Sequence, residues 1–115
     1  MLGGRSIVVV AADQGLRRSV AFALEVEGYS TESYGTVQNA EASSKGALCT
    51  ILDDEILRSE PQVATQFLKN LGARGILLVD GLSALQPHVG NAILTKPFTG
   101  PDLLRAINSL IEAAK

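Results

Sequence analysis

Tryptophan is absent from this chain of 115 residues, aromatic side chains make up only 4%, and cysteine occurs once, at Cys49. The core must therefore be aliphatic, and neither an internal disulfide nor a cysteine-rich metal site can form. The one histidine, His88, lies beside Pro87 in a polar stretch and makes no metal site alone. Basic excess is also lacking: ten Lys and Arg face twelve Asp and Glu, for a net charge of −2. That argues against direct nucleic-acid binding, which needs clustered positive charge. No apolar run approaches a membrane span, and Met1-Leu2-Gly3-Gly4-Arg5 does not open a signal peptide. We expect one cytoplasmic domain over residues 1–115, without membrane contact.

Against these absences stand hydrophobic residues at 46%, gathered into short runs. Ile7 to Ala11, Leu48 to Leu52, Ile76 to Val79 and Ala92 to Leu94 are apolar without alternation, as in strands buried on both faces. Ser30 to Tyr34 alternates and is more polar, which suits an edge strand. Between them lie helical patterns. Leu16, Val20 and Leu24 share one face of a helix over Gly15 to Glu27, stopped by Gly28. A weaker helix runs from Val37 to Lys45. Ser59-Glu60-Pro61-Gln62 reads as a capping box before a stripe of Val63, Phe67, Leu68 and Leu71, closed by Gly72. Thr99-Gly100-Pro101-Asp102 opens a last helix with Leu103, Leu104, Ile107, Leu110 and Ile111 on its apolar face. The alternation predicts a doubly wound α/β fold, whose site lies at the carboxyl ends of the strands. Those ends offer Ala11, Ala12 and Asp13; Asp53 and Asp54; Asp80; and Thr95, Lys96 and Pro97.

Four segments in this order, "IVVVAADQGLRRSVAFALEVEGY", "CTILDDEIL", "GILLVDG" and "AILTKPFTGPDLLRAI", resemble the response-regulator receiver (CheY-like) domain of two-component systems. The FixJ-like subfamily is the nearest match. The resemblance implies a five-stranded parallel sheet in the order 2-1-3-4-5, with Asp53 at the phosphoacceptor position and Lys96 at the conserved-lysine position. It also implies a cis Lys96–Pro97 bond and a pocket of Asp13, Asp80, Ala11, Ala12, Thr95 and Pro97 around that pair.

The departures from the family are chemical. Ala11 and Ala12 occupy the positions of the acidic pair that binds Mg²⁺. Asp80 stands at the first switch position, where a hydroxyl is usual, and Ile93 at the second, where an aromatic is usual. Leu57 replaces a proline, and the segment between Asp80 and Lys96 leaves little room for a fourth helix, which should be shortened or missing. Phosphoryl transfer to a carboxylate needs its charge neutralised, and Mg²⁺ needs carboxylates to hold it. Asp13 and Asp53 are the weak metal candidates that remain, so the expectation is no cofactor. Instead, Lys96 should lie between Asp53 and Asp80, and Asp13 either caps the first helix or touches residual metal.

The function expected is a degenerate receiver that works without phosphorylation, by contact with a histidine kinase, a phosphotransfer protein, another regulator or a second copy of itself. It is not expected to be an enzyme. The alternative is a working phosphoacceptor in which Mg²⁺ assists phosphorylation of Asp53. A nucleotide-binding flavodoxin-like domain fits poorly, because Ala12-Asp13-Gln14-Gly15 is not a glycine-rich phosphate cradle.

Overall fold

Along β1 (Ser6–Val10) every second side chain turns to the same face, and all from Ile7 to Val10 are buried. Ile7 and Val9 pack into one apolar layer, Val8 and Val10 into another, so the strand is wrapped on both sides. The computed structural model describes residues 6–80 and 92–113. The chain continues through α1 (Gln14–Val26), β2 (Ser30–Tyr34), α2 (Val37–Ser44), β3 (Cys49–Asp53), α3 (Asp54–Ser59) and α4 (Pro61–Leu71). A short 3-10 turn, Gly72–Arg74, leads into β4 (Gly75–Asp80), followed by β5 (Ala92–Lys96) and α5 (Gly100–Ala113). The five strands are parallel and ordered β2-β1-β3-β4-β5, a doubly wound CheY-like sheet.

The two layers have distinct owners. Val20 and Leu24 of α1 and Leu103 and Ile107 of α5 pack with Ile51, Ile76 and Leu78 on one face. Ala40 of α2, Ile56 and Leu57 of α3, and Ala64, Phe67 and Leu68 of α4 pack with Leu52, Leu77 and Val79 on the other. Each fully buried Leu or Ile stabilises the fold by about 1.5–3 kcal/mol, which lets an aliphatic core suffice. Cys49 is one of these buried side chains, and burial pushes its thiol up to about 12, so it remains a protonated core group.

Helix ends follow local chemistry. Gly28, just beyond α1, and Gly72, at the end of α4, both take positive φ, and the Gly72 N–H donates to the Leu68 carbonyl. At α5 the Thr99 N–H donates to Asp102 Oδ2, while the Asp102 N–H donates to Thr99 Oγ1. This reciprocal cap holds the Asp102 carboxyl below its ordinary range, through the Thr99 bonds first and Arg105 second.

Three local expectations need correction. Ala92 to Leu94 is not wrapped on both faces: β5 is an edge strand whose exposure alternates, with Ile93 38% exposed. Ser59-Glu60-Pro61-Gln62 does not form a capping box: Glu60 makes no side-chain cap bond, and the Ser59 hydroxyl donates to the Ile56 carbonyl at the end of α3. Ser59 closes one helix, α3, and Pro61 opens the next. Val63 is 47% exposed, and Ala64 takes its place on the buried face of α4 with Phe67, Leu68 and Leu71. The spacing 64, 67, 68, 71 keeps one helical stripe, and Val63 falls about 100° outside the Ala64 direction. The fourth helix expected between Asp80 and Lys96, with Pro87, His88 and Gly90, lies outside the described residues. No described helix is long and apolar enough to cross a membrane.

Candidate functional site

Asp53 ends β3 and is 2% exposed. Its Oδ2 accepts the Glu55 N–H at 3.3 Å, capping α3, and its Oδ1 accepts the Lys96 ammonium at 2.7 Å. Because α3 begins at the next residue, the first turn carries Asp54 back over the ends of β4 and β5. There its carboxylate is fully buried and takes three donors. Oδ2 accepts from Arg58 Nη1 at 2.8 Å and from the Asp80 N–H at 3.2 Å; Oδ1 accepts from Lys96 Nζ at 3.4 Å. Asp54 thus ties three strand ends and the next turn of its own helix together. Acidic residues in a first helical turn also suit the helix dipole.

One ammonium does lie between two carboxylates, but the second is Asp54 rather than Asp80. Among the described ion pairs Lys96 meets Asp53 and Asp54. Asp80 is exposed at the end of β4 and is joined to the cluster through its backbone. The cause is α3: a helix starting directly after Asp53 delivers residue 54 to the position expected for the carboxylate of residue 80. A sequence signal existed, since Asp54 and Arg58 stand four apart as a helical ion pair.

Burial pulls the Lys96 pKa down, and the Asp53 hydrogen bond and the charges of Asp53 and Asp54 outweigh it, leaving it above 10.5. A folded-state value above the unfolded one means that Lys96 stabilises fully below the unfolded value and loses this effect as pH rises through the folded value. The stability gap between the native chain and Lys96→Met should therefore be flat through neutral pH and narrow only above about pH 10.5, as read by urea unfolding.

The mouth of β1 is built differently. Ala11 is buried and Ala12 exposed, and the Arg17 guanidinium donates to both carbonyls, at 2.6 and 3.1 Å. Arg17 thus ties the first turn of α1 back to the end of β1. Asp13 caps α1, accepting the Gly15 N–H at 3.1 Å. Thr95 and Pro97 are exposed beside Lys96, and the Lys96–Pro97 peptide is cis. Ile93 sits on β5, 38% exposed. A groove of ≈ 520 Å³ opens between α1 and α5, walled by Leu16, Val20, Phe98 and Leu103. It borders Lys96 and Asp80 but not Asp53, so this groove lies beside the Asp53–Lys96 pair rather than on it.

Mg²⁺ does not fit this donor set. Both carboxylates are already matched by Lys96 and Arg58, and the Ala11 and Ala12 carbonyls at the end of β1 accept from Arg17. Among the described residues no three His, Cys, Asp or Glu side chains come together to hold a metal. An octahedral dication needs several oxygen ligands free of competing positive charge.

No protein-family model matches the sequence. The transcriptional regulator protein FixT of Rhizobium meliloti (strain 1021) is 73% identical over 115 residues, covering 100% of both chains. Among solved structures, a response-regulator receiver domain from Clostridium thermocellum superposes with a TM-score of 0.76 at 19% identity, over 95% of each chain. A receiver protein from Sinorhizobium medicae WSM419 gives 0.70 at 16% identity over 100% of each. The beryllofluoride-activated NtrC4 receiver-domain dimer gives 0.74 at 22% identity, over 96% of this chain and 99% of that one. At such identities the structures speak to fold, while the full-length sequence match speaks to kinship: this chain belongs to the FixT family of signalling regulators, built on the response-regulator receiver fold.

Proposed function

We propose that the chain regulates signalling by protein–protein contact, without taking phosphate on Asp53 and without a cofactor. The observation that carries this reading is the internal charge balance of the strand ends. Asp53 Oδ1 sits 2.7 Å from Lys96, Asp54 is paired with Arg58 and Lys96, and β1 contributes two alanines where transfer chemistry calls for acids. Attack by a carboxylate on phosphorus brings negative groups together and depends on a metal or equivalent charge at the moving group. Here the available cations already serve to join β3, β4 and β5. The cluster then works as a metal-free clasp that keeps the receiver surface in one shape for a kinase, a phosphotransfer protein or another regulator.

Incubation with acetyl phosphate and Mg²⁺, followed by intact-mass measurement, tests this. No phosphoryl increment is expected. An increment in the native chain that Asp53→Asn abolishes would overturn the reading.

A further inference from the structure

Helix α1 turns Val20 and Leu24 into the core, yet carries Phe22 and Val26 at 70% and 65% exposure. At about 100° per residue, Phe22 stands opposite the midpoint between Val20 and Leu24, on the crest of the helix. Val26 lies one turn further along, slightly to one side, with Ser19 beyond it on that flank. The other flank carries Arg18 and Glu25, both exposed. An aromatic and a branched aliphatic side chain in helical register on an outward crest are the usual centre of a helix–helix contact, and the flanking charges indicate what meets them.

We propose that this crest is the contact between two copies of the chain, packed as an antiparallel pair of α1 helices on a two-fold axis at Phe22. In such a pair, a residue n places after Phe22 lies level with the residue n places before it in the other copy. The two-fold also keeps each flank on its own side. Arg18, about 6 Å before the centre, then comes beside the partner's Glu25, about 4.5 Å after it, on the same flank. Symmetry repeats the pair. On the other flank Val26 meets the small Ser19 of the partner subunit, and the two Phe22 rings meet at the axis. Parallel pairing, with the two-fold along the helices, would instead swap the flanks and set Arg18 beside the partner's Ser19 and Glu25 beside the partner's Val26, leaving every charge unmatched. The charge pattern therefore selects both the occupant and its direction. Glu25 is already steadied for this role, since its Oε2 accepts the Thr31 hydroxyl at 2.7 Å.

One helix of 13 residues per copy makes a contact well below the ~1,600 Å² of a standard interface, so the dimer is weak and concentration-dependent. It does not depend on whether Asp53 takes phosphate.

Sedimentation velocity of the full chain at low salt, from micromolar to millimolar, gives the test. The native chain should move from monomer to dimer across that range. Arg18→Glu alone and Glu25→Arg alone should each shift the midpoint at least tenfold upward, because each variant opposes like charges. An equimolar mixture of the two should dimerise near the native midpoint, since every charge then faces its opposite. This rescue also rules out misfolding of either variant. A native chain that stays monomeric, a dimer unmoved by the single reversals, or a mixture no better than its components would each overturn the proposal.

Discussion

Lys96→Met should unfold in urea with a stability about 3 kcal/mol below the native chain, the low end of the cost of breaking a buried ion pair. Its side chain is 30% exposed, which limits the loss, but its partners are 2% and 0% exposed and cannot turn to water. The damage should fall unevenly. Among the described residues Asp54 keeps Arg58 and the Asp80 N–H, while Asp53 keeps only the Glu55 N–H. In the Lys96→Met background, Asp53→Asn should therefore restore more than half of the loss, though the same change destabilises the native chain. That sign reversal is what a double-mutant cycle measures for two groups that serve each other. An ordinary surface pair would give at most about 1 kcal/mol and no reversal.

Leu24→Ala and Phe22→Ser, two residues apart on α1, should differ in cost by about 2.5 kcal/mol. Leu24 is fully buried among Val20, Leu103 and Ile107, and truncating it removes transferred surface and leaves a cavity, at a cost of about 3 kcal/mol. Phe22 is 70% exposed, so Phe22→Ser should change unfolding by no more than about 0.5 kcal/mol. Thermal or urea unfolding of dilute protein checks both. The contrast tests whether the crest of α1 is irrelevant to the monomer while its opposite face holds the core.

Much of this architecture was legible because the physics was local. β1, β3 and β4 are apolar on both faces, which only a wrapped parallel strand explains, and Gly28, Gly72 and the Thr99–Asp102 cap mark helix ends in plain sequence. The two alanines at the mouth of β1 stand, also in plain sequence, where the receiver resemblance implies acids. What escaped was three-dimensional. Helix α3 has six residues, too few to show a period, and its start at Asp53 is a strand end first. Without α3, the strand ends alone set Asp80 rather than Asp54 across Lys96 from Asp53. Arg17 reaches back six residues to the Ala11 carbonyl, a contact no periodic pattern encodes. Val63 lost its core position to Ala64 by one residue of register, a shift smaller than hydrophobicity alone can resolve.

The central claim is that the Asp53, Asp54 and Lys96 cluster is a closed structural clasp rather than a phosphoryl site. Amide NMR shifts during titration with beryllofluoride and Mg²⁺, with Asp53→Asn alongside, test it most directly. No saturable shift at Asp53, Asp54, Asp80 or Lys96 up to millimolar Mg²⁺ is the result expected. Saturable shifts at those residues in the native chain, absent from Asp53→Asn, would contradict it.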